Sequence, residues 1–466
     1  MLHSHSSPLD CRCPHGGFSP RLYAQAKIAL SRRSFIAGAA AAGVAALLPW
    51  RARAASMDNV TVLKAARLFD GKKMHAPGVL VIQGSRIVSF NAGDAGSSAH
   101  VIDLGDATLM PGLIDCHTHV AGFAVPSHYL AMPGRTSDNP EELAIYGLKN
   151  AHAMLANGFT TVRDVGGGWG VDLAVRDAIN EGTVFGPSIF AAGPALSITG
   201  GHGDTNDIPD WITEDATIES GVAYGPYGFR QKVREHVKRH VDLVKILATG
   251  GVLSYGDTWD VPQLNLDEIQ AVVDESEKFG RKVAAHCHGD KGISMAVEGG
   301  VHSVEHCTGV SDATLKKMEQ RGTHLVPTIW ALDSILVPGN PNHIPPGSVE
   351  KAEYAAKVRN EGMQRALASS VTITYGTDAG VFPHHENNKD FALLAKMGMH
   401  PLDLMKSTTS TAAALIGVND RGSLFSGKRA DIVAFKGDPS KNIALLESKP
   451  ALVMVNGKRV NGNLLV

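Results

Sequence analysis

Paired cysteines are missing from this sequence. It has five cysteines. Two of them, Cys11 and Cys13, fall in a leader described below, which leaves an odd set of Cys116, Cys287 and Cys307. An odd count excludes a complete disulfide framework. Each of the three stands next to a histidine, and strand alternation would turn such neighbours to opposite faces, so they read as buried packing residues. A bilayer-spanning stretch is also missing: the apolar run ending at Trp50 is about 16 residues, short of the roughly 20 a spanning helix needs. Internal repeats are absent, and the only biased segment is that alanine-rich run. Excess positive charge is absent too. The formal net charge is −2, but the first 54 residues carry seven Lys/Arg and one Asp, so the remainder stands near −8. That balance gives no electrostatic case for nucleic acid or an anionic membrane. With 44% hydrophobic and 19% charged residues, the composition is that of an ordinary globular chain.

What is present begins with an address. Ser31-Arg32-Arg33-Ser34-Phe35-Ile36 leads into the Ala/Gly-rich run, and Ala52-Arg53-Ala54 supplies a small-residue cleavage pattern. Residues 1–54 resemble a bacterial twin-arginine export signal, lacking only the lysine often seen after the apolar pair. The expected location is therefore periplasmic or secreted.

Past the leader, residues 57–112 read as short strands with turns and no helical period. From 113 to 417 apolar runs alternate with helical segments. The candidate strands are GLIDCHTH, TTVRDVGG, SIFAAG, VDLVKILA, KVAAHCHG, SVEHCT, HLVPTIWA and TITYGTDAG. Between them lie segments such as PEELAIYGLKNAHAMLANG and LDEIQAVVDESEKFG, with apolar residues three and four apart. Eight such alternations predict an α/β fold, a (β/α)₈ TIM barrel, which takes roughly 250 residues. Residues 418–466 return to strand patterns. Each flanking β segment is too short for a core of its own, so the two are expected to join in one small β-sandwich.

Chemistry gathers at the predicted strand ends. His117 and His119, at i and i+2, share a face, and imidazole suits zinc and similar divalent ions. A His-x-His alone is weak, since exposed histidines are common. Lys245 interrupts the apolar run VDLVKIL. Burying its ammonium is costly, and by itself the residue reads more readily as a packed stem with its head at the barrel mouth. His286 and His288 again share a face, and nothing in the pattern chooses between them. His306 ends the next strand, and Asp378 ends the last one before a glycine turn, where an aspartate is commonly a turn former.

Together, His-x-His, Lys, His, His and Asp on strands one, four, five, six and eight resemble the amidohydrolase superfamily, in its two-metal form with a carboxylated lysine. PGLIDCHTH, GGHGD, VKILATGG, AAHCHG, VEHCT, YGTDAG and GSLFSGKRADIVAFKGDP carry the resemblance over nearly all of 60–466. It implies two divalent metal ions, zinc being the expected one. His117 and His119 would hold the inner ion and His286 and His306 the outer one. A carbon dioxide-derived carbamate on Lys245 would bridge them, and Asp378 would ligate the inner ion and relay a proton. It also implies metal-assisted hydrolysis of an amide C–N bond.

Within the superfamily, GGHGD, ATGG and TVRDVGG look most like prolidase-type dipeptidases and the amidohydrolases that cleave ochratoxin. The expected substrates are small molecules with an amide next to a C-terminal amino acid: Xaa-Pro and other dipeptides, N-acyl amino acids, ochratoxin A. Such a substrate calls for donors to its carboxylate, and His202, Tyr227, Arg230 and Arg234 are the candidates. Tyr227 and His202 are placed in loops near the barrel mouth; for Arg234 a structural ion pair is at least as good a reading. The segment 121–139 reads as a substrate lid or, equally, an oligomer contact, and a homo-oligomer is expected. The alternative in the same class is an imidazolonepropionase-like or lactone-opening enzyme, which usually keeps one metal; Lys245 speaks against it. A catalytically dead scaffold is disfavoured because all six ligands are in place.

Overall fold

The computed structural model describes residues 60–90, 99–122, 140–204, 206, 221–254, 256–339 and 344–460. The expected export leader, and the 121–139 segment beyond Gly122, lie outside the described residues. Among the described residues no helix is long and apolar enough to cross a membrane.

Seven strands come first: β1 (Val60–Ala65), β2 (Arg67–Phe69), β3 (Met74–His75), β4 (Gly78–Gln83), β5 (Arg86–Phe90), β6 (His100–Asp103) and β7 (Ala107–Pro111). One sheet has the order β5-β4-β1-β6. The other three join the end of the chain, where β15 (Ile432–Lys436), β16 (Leu452–Val455) and β17 (Lys458–Arg459) complete a sheet of order β17-β16-β15-β7-β2-β3. The seam is the antiparallel pair β7/β15, from Ile432 opposite Pro111 to Lys436 opposite Ala107. Strand alternation gives β15 two partners at once. Ile432 and Ala434 enter one core with Leu63, Leu80 and Leu109. Val433 and Phe435 face the other way, into a core with Met110 and Phe159.

Between these pieces lie β8 (Leu113–Thr118), β9 (Phe159–Asp164), β10 (Ser188–Ala191), β11 (Leu243–Leu247), β12 (Lys282–Cys287), β13 (Ser303–His306) and β14 (His324–Val326). They form two parallel sheets, β10-β9-β8 and β11-β12-β13-β14. β8, β9 and β11 are buried at every position, the continuous apolar pattern of strands covered on both faces. The covering helices are α1 (Pro140–Ala156), α2 (Val171–Asn180), α3 (Gly225–Lys238), α4 (Leu266–Glu277), α5 (Asp290–Gly299), α6 (Asp312–Arg321), α7 (Ile329–Ile335), α8 (Pro346–Leu367), α9 (Asp390–Met397), α10 (Pro401–Ser407) and α11 (Ser410–Ile416). Local signals set their ends. Ser311 Oγ accepts from Thr314 N at 3.2 Å to start α6, and Gly322, at φ 68°, ends it.

Two expected strands differ in extent. HLVPTIWA is a strand only over His324–Val326; Pro327 brings no N–H to the ladder, and Ile329 already belongs to α7. TITYGTDAG forms no continuous strand, yet its backbone ties both neighbours. Thr374 N donates to Leu325 O at 2.8 Å, and Cys116 N donates to Tyr375 O at 3.0 Å. Parallel bridges join Leu325 to Ile373, Thr118 to Ala379 and Leu196 to Ile246, at the edges of the two parallel sheets.

Candidate active site

The strand ends deliver one buried group of side chains. β8 contains His117 next to its last residue, and the loop beyond it carries His119; β12 ends just before His288 and contains His286; β13 ends in His306. Asp378 Oδ1 lies 3.4 Å from His117 Nε2 and 3.2 Å from His119 Nε2, and its Oδ2 lies 4.0 Å from His306 Nδ1. Donor atoms of His117, His306 and Asp378 all lie within 4.8 Å of one another, and the same is true of His286, His288 and His306. Both histidines of the AAHCHG pair thus enter the cluster. The rings of His288 and His306 stack, with centroids 4.8 Å apart.

Hydrogen bonds set which ring nitrogens are free. A carbonyl can only accept, so His119 Nδ1–H donates to Gly166 O (2.9 Å) and its Nε2 lone pair faces Asp378. By the same logic His286 Nε2–H donates to Gly250 O (3.1 Å), leaving the lone pair of Nδ1 available. His117 Nδ1 donates to Glu305 Oε2 at 2.8 Å, and Glu305 Oε1 accepts from Arg163 Nη2 at 2.8 Å. This carboxylate–imidazole support orients metal-binding histidines. Burial raises the Glu305 carboxyl, but Arg163 and His117 outweigh it and hold the group down at about 2. His306 and His288 pair through Nδ1 with the hydroxyls of Thr328 and Thr308, each at 2.7 Å.

Burial keeps His286, His288 and His306 neutral, whereas for His119 the facing Asp378 carboxylate outweighs burial and raises the imidazole. Burial pushes His288 down to about 3, and His286 and His306 well below the ordinary value, with neighbouring imidazoles adding to the effect. Asp378 is held ionised: burial opposes that, but His117 and His119 lower it further than burial raises it. Neutral nitrogens and an anionic oxygen are the forms a divalent ion requires, so the donor set fits one. Lys245 is 2% exposed, and burial first of all pushes its ammonium down to about 8, against the pull of Glu305 and Asp378. The backbone is strained where the donors sit. His306, Thr328 and Asp378 have φ of 67°, 46° and 65°, a region costing a non-glycine residue about 1–2 kcal/mol.

Of the residues assigned to substrate, only His202 reaches this group; its ring lies 4.4 Å from that of His286. Tyr227 is not in a loop. Pro226 starts α3 in the first turn, where its missing N–H does no harm, and Tyr227 is 88% exposed on that turn. Arg230 is committed to α4, with Asp274 at 3.0 Å and Glu275 at 3.5 Å, and Arg234 pairs with Glu275 at 2.7 Å. Glu305 and Arg163 escaped the sequence reading although both carry its signal, a charge inside an apolar strand. The carbonyls of Gly166 and Gly250 leave no such mark.

The Amidohydrolase family matches residues 108–460. The ochratoxinase of Aspergillus niger is 28% identical over 435 residues, 88% of either chain. Among solved structures, a Xaa-Pro dipeptidase with methionine bound in its active site superposes with a TM-score of 0.81 and 34% identity, covering 87% of this chain and all of that one. A prolidase in complex with N-methylphosphonate-L-proline gives 0.78 and 31%, over 86% of this chain and all of that one. The match over most of the chain, and the buried His/Asp donor set at the strand ends, make this protein a hydrolase of amide bonds and a member of the amidohydrolase family.

Proposed function

We propose that the enzyme hydrolyses the amide bond next to a C-terminal amino acid that carries a free carboxylate, in dipeptides such as Xaa-Pro, in N-acyl amino acids and in amides of the ochratoxin A type. The observation that carries this reading is His202. Its Nδ1 is buried with no hydrogen-bond partner among the described residues, beside the donor cluster. A buried ring nitrogen without a partner is costly unless a ligand satisfies it, and the Nδ1–H tautomer would donate to a carboxylate. The ochratoxinase and Xaa-Pro dipeptidase likenesses support the same substrate class.

In this reading the parallel strands and the 372–379 segment form a (β/α)₈ barrel, with a β-sandwich built from residues 57–112 and 418–466. His117, His119 and Asp378 hold one divalent ion, zinc by the nature of its donors, and His286 and His306 hold a second, with His288 beside them. Bound metal makes the attacking water more acidic and polarises the scissile carbonyl. Lys245 would supply a shared anionic ligand: its low basicity leaves some free amine near neutral pH, whose Nζ would bond the carbon of carbon dioxide and release a proton, giving a carbamate. Asp378 takes a proton from the water as oxygen adds to the carbonyl carbon, then passes it to the leaving nitrogen as the C–N bond breaks. A bridging lysine argues for this chemistry over the single-metal, ring-opening alternative. Arg32 and Arg33 support export to the periplasm.

The test compares kcat/KM for the best substrate in a dipeptide and N-acyl amino acid library with that for its C-terminal carboxamide. Stranding the donors built for a carboxylate should cost about 2–4 kcal/mol, roughly 30- to 1000-fold. Equal rates on acid and amide would reject the carboxylate reading and leave metal-dependent amide hydrolysis standing.

A further inference from the structure

The segment from Gly250 to Gln263, between β11 and α4, touches three imidazoles of the site. Gly250 O accepts from His286, and Trp259 meets the His288 ring edge-on, with centroids 5.9 Å apart. Gly251 supports His202: a Cβ there would lie 2.1 Å from His202 Cε1, so only glycine fits. The His202 ring is thus held between Gly251 and His286. From the other direction, Gln263 Oε1 accepts from His202 N at 2.9 Å, and Gln263 Nε2 donates to Asp257 Oδ2 at 2.9 Å.

One cation from a distant helix closes this network. Lys351, in α8, donates through Nζ to Gly251 O (3.1 Å), Ser254 O (2.8 Å) and Asp257 Oδ1 (3.1 Å). Asp257, whose side chain is 9% exposed, also accepts from Ser254 Oγ at 2.6 Å and Gly251 N at 3.3 Å. A partly buried carboxylate that loses its counter-charge draws in water in place of the ammonium, and that shift moves the backbone it holds. Neither Lys351 nor Asp257 belongs to the donor cluster or donates to it.

We infer that the Lys351–Asp257 pair is a positioning device that holds His202 in place and so sets the preference for a substrate carboxylate. The inference rests on the carboxylate reading above. Lys351 acts through Gly251 and through Asp257 and Gln263; it does not touch the reacting atoms. Its loss should therefore weaken recognition of the carboxylate while leaving the metal donors and the bond-breaking step nearly intact.

The experiment measures kcat and KM on the best acid substrate and on its carboxamide, with metal content, for the full chain and for Lys351→Met, Lys351→Arg and Gln263→Leu. For Lys351→Met the acid-to-amide ratio of kcat/KM should fall about tenfold, the scale of one lost bond to a charged group, mainly through a higher KM for the acid. Metal content should stay at the parent's value. Lys351→Arg, which keeps the cation, should restore most of the ratio. Gln263→Leu cuts the same link without removing a charge and should lower the ratio in the same direction, even if Lys351→Met does not fold. An unchanged ratio in both Lys351→Met and Gln263→Leu, with the two substrates slowed equally, would reduce Lys351 to a structural residue and overturn the inference. If the parent enzyme itself does not distinguish acid from amide, the carboxylate reading fails first and takes the inference with it.

Discussion

The strand-end cluster and the face between α3 and α4 both gather ionisable side chains, under opposite conditions. On the helical face Arg230, Arg234 and Lys278 all pair with Glu275. Arg234 and Lys278 keep 63% and 58% of their side chains in solvent and Arg230 keeps 27%, and all three serve one buried carboxylate, so any one can replace another. At the strand ends, Glu305 has one guanidinium, that of Arg163, and His117 and Glu305 are almost completely buried. There a charge without its partner has nothing to replace it. Cationic type alone therefore says little about function; desolvation and lack of redundancy say more.

Breaking the buried side should have the larger effect. Glu305→Gln keeps the shape but replaces the anion that fixes the His117 tautomer and neutralises Arg163. Metal affinity, measured by competition with a chromogenic chelator, should fall about 10- to 100-fold; unchanged affinity would mean that His117 needs no anionic support. Next is a pH test on the metal-free protein. His384, whose Nε2–H donates to His119 O at 2.9 Å, is pushed down by burial to about 4. An unfolded histidine protonates near 6.5, so as pH falls from there to about 4 the unfolded state binds the proton first and the fold loses stability. Relative to His384→Asn, the parent should lose about 1.4 kcal/mol per pH unit across that window in denaturant titrations. A constant difference would contradict the burial argument. Smallest is Arg230→Ala, which should change kcat/KM on acid substrates by less than about twofold, as expected of one member of a redundant surface set. A loss confined to acid substrates would return Arg230 to the substrate site.

The same contrast explains what could be read from the sequence. Residues on strands declare themselves: alternation puts His117 and His119 on one face, and a charge within an apolar run marks Lys245, just as it marks Glu305 and Arg163. Asp378 before its glycine turn reads first as a turn former, and it is legible only through its place after the His, Lys, His and His of the earlier strands; its segment proved too irregular to be a continuous strand. The choice between His286 and His288 could not be made from a shared face, and the fold puts both in the cluster. Arg230 misleads because its partners, Asp274 and Glu275, lie more than forty residues away. Tyr227 misleads because Pro226, a residue type common in loops, here opens the first turn of α3. The Lys351 network is invisible in sequence, since a lysine on a helix reads as a solvated cation and its acceptors include two backbone carbonyls.

The central claim is that Lys245 joins two ions into one catalytic site. The direct measurement is metal per chain, by elemental analysis of the purified enzyme and of Lys245→Ala purified in the same buffer, with hydrolysis measured on the same samples. The account predicts about two ions in the parent. In the variant it predicts a clear loss of metal and of hydrolysis, with partial recovery when a short carboxylic acid is added in place of the carbamate. A variant with the parent's metal content and rate would contradict it.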